Sequence, residues 1–305
     1  MSEQPVLHVK GLNKKFGERW ALHNINFVMQ PGEILGFVGP NGSGKTTLIK
    51  IIAGLCKASA GEITVLGQQL SNDSLKTPTG LGVVMEEAGF IPYMSGHKNL
   101  AYLAQFGSAF VNKDSIVDLM RRVGLDPEDE RPVRAYSLGM RQRLNLAQAL
   151  MEAPKLILLD EPANGIDPAG IVRLRELLLD LAQKGTAILM SSHLLTEVER
   201  ICQRVIFVKN GSILKEISLG SDETSIVLIV PTVQDSQVVE SWSKEQGIHC
   251  TVREQGSVLK LEFSTSDCTQ TVPDIVRSLV NRDVKIEAIY KTRHSLEFDY
   301  MELIH

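Results

Sequence analysis

The run GPNGSGKTT, residues 39–47, constrains the fold of this chain more than any other feature, because it fits G-x-x-x-x-G-K-[ST] between an apolar strand and a helix. The strand is EILGFVG, 33–39, and the helix opens at Thr46. Gly39, Gly42 and Gly44 let backbone N–H groups turn inward around phosphate oxygens, and the helix N-terminus adds partial positive charge. Lys45 is placed to reach the β- and γ-phosphates of ATP, and the Thr46 hydroxyl to bind Mg²⁺. The whole loop, with Pro40, Asn41, Ser43 and Thr47 between these residues, is the candidate nucleotide-binding segment.

Such a site needs an acid at the end of a neighbouring strand, and LILLDEP supplies two. Asp160 would hold Mg²⁺, directly or through water, and Glu161 would orient and deprotonate the attacking water. KLILLD (155–160) and TAILMSS (186–192) are, like 33–39, continuous apolar runs of strand length, as befits strands covered on both faces. Between them Ile171, Leu174, Leu177, Leu178 and Leu181 recur at helical spacing behind Pro168, a first-turn proline. The pattern reads as a parallel α/β core over the first two hundred residues. VIFVKNGSILKE (205–216) reads as a hairpin whose Asn210-Gly211 turn needs positive φ.

Near residue 218 the polar stretch SLGSDET marks a joint, which divides the chain into 1–218 and 219–305. Beyond it the spacing predicts a strand at 225–230, a helix at 235–246, strands at 249–254 and 258–263, a helix at 271–281 and a strand at 284–290, followed by a terminal helix. That βαββαβ order is ferredoxin-like, of the α+β class.

Composition narrows the partners. A net charge of −4 with 22% charged residues gives the chain no global attraction to nucleic acid or anionic membrane. Cys56, Cys202, Cys250 and Cys268 lie far apart without C-x-x-C spacing, as in reduced cytosolic proteins. No apolar run approaches the ~18–20 residues of a membrane-spanning helix, so the chain is expected in the cytosol.

One further segment separates this chain from other P-loop proteins. YSLGMRQRL, 136–144, precedes the Asp160–Glu161 pair and resembles the LSGGQ signature of the ATP-binding subunits of ABC transporters, with Ser137, Gly139 and a helix opening near Met140. Leu138 and Met140 depart from the family pattern. The resemblance implies an ABC-type ATPase with a helical subdomain, in which this segment faces the γ-phosphate of ATP held by an opposite subunit. Ser137 suits donation to phosphate and Gly139 allows close backbone approach. In the same order, NGIDP (164–168) resembles the D-loop, with Asp167 near the subunit junction. His193 in MSSHLL matches the switch histidine that contacts the γ-phosphate, and Phe16 in KKFGERWAL takes the place of the aromatic stacked on adenine.

LGVVMEEAGFIP, 81–92, starts as a strand and ends in adjacent acids. Glu86 stands where the family has a glutamine that touches Mg²⁺, as in the resembling bacitracin and lantibiotic exporter subgroup; Glu87 would be solvated or meet the membrane partner. A carboxylate binds Mg²⁺ more strongly than an amide but repels the γ-phosphate when the metal is absent. The resemblance therefore implies an ATPase subunit that acts as a homodimer or heterodimer with a separate integral-membrane permease. It would lie on the inner face of the cell membrane, couple through 86–125 and export drug, peptide or lantibiotic-like compounds. Rivals acting on ribosomes or DNA would carry a duplicated cassette or a long coiled-coil insertion, and a binding module without hydrolysis would not need Glu161 and His193 together.

Overall fold

The computed structural model describes residues 4–70, 76–85, 89–107, 113–219, 224–248, 250–255, 258–264, 271–293 and 296. The chain divides into two compact units, Met1–Leu219 and Gly220–His305.

The first unit runs β1 (Leu7–Phe16), β2 (Arg19–Met29), β3 (Ile34–Val38), α1 (Lys45–Ile52), β4 (Ala60–Val65), β5 (Gln68–Gln69) and β6 (Leu81–Val84). It continues with α2 (Gly96–Leu103), α3 (Lys113–Arg122), α4 (Leu138–Leu150), β7 (Leu156–Asp160), α5 (Pro168–Gln183), β8 (Ala187–Ser192), α6 (Leu195–Ile201), β9 (Arg204–Lys209) and β10 (Ser212–Ser218). One sheet has the order β10-β9-β3-β8-β7-β6. Its five strands from β9 to β6 are parallel, and β10 closes the edge antiparallel to β9. Every residue of β3, β7 and β8 is buried, which is why these runs are apolar without alternation. The β9–β10 turn has φ 51 at Asn210 and φ 78 at Gly211, the two positive values the hairpin requires.

A second sheet, β2-β1-β4-β5, is antiparallel and was not foreseen as a separate layer. Its signal was period-two alternation: Leu7 and Val9 point inward while His8 and Lys10 are exposed. Leu48, Ile49, Ile51 and Ile52 of α1 share one buried cluster with Leu12, Ile25 and Ile63 of this sheet and with Leu35, Leu158 and Leu189 of the parallel sheet. The helix behind the glycine-rich loop is thus clamped between two sheets, and each fully buried aliphatic contributes about 1.5–3 kcal/mol.

The second unit comprises β11 (Thr224–Val230), α7 (Val233–Glu245), β12 (Cys250–Gln255), β13 (Val258–Ser264), α8 (Val272–Val280) and β14 (Ala288–Arg293). Its sheet, β12-β13-β11-β14, is antiparallel throughout. Val239 and Trp242 of α7 and Ile275 and Leu279 of α8 share a core with Leu228 and Leu261. The last strand begins at Ala288 rather than at residue 284. Residues 283–285 are engaged elsewhere: Asp283 has φ 60, Val284 N–H donates to Leu279 O at 3.1 Å, and Lys285 N–H donates to Asp235 Oδ1 at 2.9 Å. The expected terminal helix lies outside the described residues, apart from Leu296.

Asp235 ties α7 to the segment before β14. Its carboxylate accepts from the Thr232 hydroxyl and the Lys285 amide, which hold its pKa below the usual carboxylate value. A depressed folded-state pKa adds stability above the unfolded value of about 3.9, and that stability is lost as pH falls through the folded value. Asp235→Ala should therefore destabilise the second unit by about 1–3 kcal/mol at neutral pH, with the difference from the parent shrinking below pH 4. Denaturant unfolding followed by the buried Trp242, in a Trp20→Phe background, checks this; a difference that does not change with pH contradicts it.

Candidate nucleotide site

In parallel sheets, ligands bind beyond the carboxyl ends of the strands. Here β3, β8 and β7 are neighbours, with Val38 paired to Ser192 and Ser191 to Asp160, so three loops open side by side. They carry Gly39–Thr47, His193 and Glu161.

The glycine-rich loop is fixed by its surroundings. A β-carbon on Gly39 would sit 2.2 Å from Val208 O, and one on Gly44 (φ 107) 2.4 Å from Ala21 O, so neither residue can be anything larger. Gly211 N–H donates to Ser43 O at 3.1 Å and His23 N–H to Gly211 O at 2.7 Å, so the β9–β10 turn and β2 brace the loop from behind. Gly44 is the N-cap of α1 and no side chain caps that end, which leaves first-turn amides for an anion. The Ser43 hydroxyl is buried without a hydrogen-bond partner among the described residues, a polar atom that a phosphate oxygen would satisfy.

Lys45 is 6% exposed, and its Nζ donates to Gly39 O at 2.8 Å and Pro40 O at 3.3 Å. It also lies 3.4 Å from Glu161 Oε1. The other carboxylate oxygen of Glu161 is 2.8 Å from His193 Nδ1 and accepts from His193 N–H at 3.3 Å. Glu161 has φ 49, a left-handed conformation that costs an L-residue about 1–2 kcal/mol. The compensation is local: Glu161 N–H donates to Ser191 Oγ at 2.9 Å, and that hydroxyl donates to Asp160 Oδ1 at 2.7 Å. The sharp turn aims the carboxylate at Lys45 and His193 while Asp160 stays buried behind it.

Beside the loop, Phe16, Arg19, Ala21, Gly42, Gly44, Lys45, Thr46 and Thr47 line an open cleft of about 340 Å³. Phe16 is 54% exposed, with Lys14 Nζ 4.5 Å above one face of its ring, so it is a surface aromatic rather than core. Arg19 was not singled out from the sequence, nor was Ser191. Each had a signal: a cation three residues after Phe16, and the first of two adjacent hydroxyls in the MSSH run at a strand end.

Three further candidates are held by contacts of their own. Ser137 caps α4, its Oγ accepting from Met140 N–H at 3.2 Å, so the helix opens at Leu138 rather than near Met140. Gly139 passes Gly165, whose carbonyl would be 3.5 Å from an added β-carbon. Asp167 caps α5, accepting from Gly170 N–H at 3.2 Å. Glu86 and Glu87 lie outside the described residues. The residue before them is held: Asn145 Nδ2 of α4 donates to Met85 O at 2.6 Å.

Residues 22–164 match the family model described as ABC transporter. The chain is 38% identical to the uncharacterized ABC transporter ATP-binding protein YdbJ of Bacillus subtilis (strain 168) over 301 residues, 98% of this chain and 95% of that protein. It is 37% identical to the lantibiotic transport ATP-binding protein SrtF of Streptococcus pyogenes over 218 residues, 72% of this chain and 93% of SrtF. With the bacitracin transport ATP-binding protein BcrA of Enterococcus faecalis it shares 30% identity over 303 residues, 98% of this chain and 96% of BcrA. Among solved structures, the dimeric post-hydrolysis state of the ATP-binding cassette MJ0796 bound to ADP and Pi covers 70% of this chain and 99% of its own, with TM-score 0.63 and 25% identity. The braced phosphate cradle, the acid pair at the end of β7 and a likeness to YdbJ that spans both units agree: the chain belongs to the family of ABC transporter ATP-binding proteins.

Proposed function

We propose that this chain binds ATP and hydrolyses it to ADP and phosphate as the motor subunit of a transporter that exports drug, peptide or lantibiotic-like compounds. The observation that carries the reading is the convergence of Lys45, Glu161 and His193 at the ends of three adjacent strands, at 3.4 and 2.8 Å. An ammonium, a carboxylate and an imidazole so close beside a phosphate cradle are the parts of a water-activating site.

In this reading Gly39–Thr47 enclose the β- and γ-phosphates, with Lys45 exchanging its carbonyl contacts for phosphate oxygens, and Phe16 stacks on adenine. Glu161 accepts the proton of the attacking water, and His193 steadies the carboxylate and the γ-phosphate. Thr46 and Asp160 are the metal ligands. A hydroxyl and one carboxylate, with Oδ1 of Asp160 already engaged by Ser191, suit a hard cation that keeps waters and arrives with phosphate. Mg²⁺ held by Thr46 and Asp160 would supply positive charge against the negative charge that develops on the phosphates. Glu86 would be a further ligand. Glu86→Gln should shift the Mg²⁺ concentration for half-maximal ATPase upward by roughly threefold or more. An unchanged Mg²⁺ titration and rate would refute that role.

Two copies, or this chain and a sister chain, would close head-to-tail around two ATP molecules, each cradle facing the other's Ser137, Gly139 and Asp167. The dimeric structure of MJ0796 bound to ADP and Pi supports action as a dimer. The names of SrtF and BcrA, a lantibiotic and a bacitracin transport ATP-binding protein, support a role in the transport of such compounds. No helix among the described residues is long and apolar enough to cross a membrane. The chain then works at the cytoplasmic face of the membrane, with no nucleic-acid partner. Tyr93 and Phe106, 73% and 72% exposed, support segment 86–125 as the coupling surface. Residues 1–218 form the nucleotide-binding domain and 219–305 an accessory domain; the order β12-β13-β11-β14 supports its ferredoxin-like reading.

The test is whether purified chain releases phosphate from ATP in the presence of Mg²⁺ and is retained by membranes that contain its permease. Turnover without membrane retention would favour a soluble role; no turnover and no binding would overturn the proposal.

A further inference from the structure

We propose that Leu138 is a positioning residue whose side chain must be berthed against Gly165 for the N-terminal amides of α4 to receive a phosphate. This rests on the shared-site reading above and concerns one of the two positions at which the signature departs from the family pattern.

Leu138 is the first residue of α4, directly after the capping Ser137. In an α-helix every Cα–Cβ bond tilts toward the N-terminus. A large side chain at the first position therefore overhangs the end of the helix, where an anion would approach. Half of Leu138 is exposed, and nothing among the described residues covers its outer side. Its inner side lies on bare backbone: a β-carbon added to Gly165 would stand 2.0 Å from Leu138 Cδ2, 2.7 Å from Cγ and 3.4 Å from Cβ.

The berth cannot easily give way. Asn164 N–H donates to Glu161 O at 3.1 Å, Ile166 N–H donates to Ala163 O at 3.3 Å, and Asp167 is fixed as the cap of α5. Backbone held on both sides of Gly165 would force Leu138, not the turn, to move. Its open direction is outward, over Ser137 and the amides. With glycine at 165 the leucine lies aside and the helix end stays open; with any β-carbon there, it becomes a plug. A small residue at 138 would need no berth.

The experiment measures ATP-induced dimerisation in the Glu161→Gln background by light scattering against ATP concentration. Adding Gly165→Ala should raise the midpoint by roughly tenfold or more, the scale of overpacking a tight contact. Adding Leu138→Ala to that variant should restore the midpoint to within about threefold of the parent, since alanine keeps the helix start and removes Cγ and Cδ2. The backbone strain of alanine at φ +71 is common to both variants and cancels in the comparison. Leu138→Phe, with Gly165 intact, should overfill the berth and also raise the midpoint; thermal unfolding of each variant separates plugging from loss of fold. A Gly165→Ala midpoint equal to the parent's, no rescue by Leu138→Ala, or no effect of Leu138→Phe in a folded protein overturns the proposal. Absence of any dimer in the Glu161→Gln parent overturns the shared-site reading, and the berth with it.

Discussion

Glu161→Gln should leave a protein that binds ATP, turns it over at least about a hundredfold more slowly, and accumulates as an ATP-bound dimer. The carboxylate is the one group in the cluster that can accept a proton while held by two partners, Lys45 at 3.4 Å and His193 at 2.8 Å. An amide has nearly the same shape and keeps the turn at φ 49, which depends on the main-chain N–H to Ser191 rather than on the side chain. Removing the negative charge also removes repulsion toward the γ-phosphate, so binding should be kept or tightened. Phosphate release in a single-turnover assay reads the first effect and light scattering the second. A variant that hydrolyses within about threefold of the parent would exclude Glu161 as the base.

Lys45→Ala should weaken ATP binding by roughly two orders of magnitude or more. The size follows from burial: at 6% exposure the ammonium acts where water screens little, and losing one partner of such a pair leaves the phosphate charge uncompensated. Lys45→Arg should fail as well, because Nζ sits between the Gly39 and Pro40 carbonyls as a compact donor and a planar fork does not fit that geometry. Titration with a fluorescent ATP analogue checks both variants. A loss smaller than about threefold for Lys45→Ala would mean that phosphate binds elsewhere.

The parallel core was legible because its signals are local. Uninterrupted apolar runs at 33–39, 155–160 and 186–192 became fully buried strands, and the loop after the first carried a motif with fixed spacing. Contacts set by the pairing of distant strands were not legible. That Ser191 bridges Asp160 and Glu161 depends on β7 lying beside β8. Gly211 was readable as a turn residue, but its bond to Ser43, across 168 positions of chain, was not. The antiparallel sheet was overlooked because β1 alternates while carrying Gly11, which disturbs its register between Val9 and Leu12. Ser137 and Asp167, chosen for their place in motifs, are also helix caps, a role their residue types alone would favour.

The central claim is that one chain's cradle and its twin's signature hold the same triphosphate, and mixed dimers test it most directly. Chains carrying Lys45→Ala and chains carrying Ser137→Phe should each be inactive alone. In a two-fold dimer each interface contact occurs twice with the chains exchanged, so a mixed pair gathers both lesions in one site and leaves the other intact. Mixing equal amounts should therefore recover about one quarter of the parent's ATP sites, from half the pairs being mixed with one good site each. Recovered nucleotide retention and turnover at that level is the predicted result. A mixture as inactive as its components, from proteins that remain folded and exchange partners, would contradict the account.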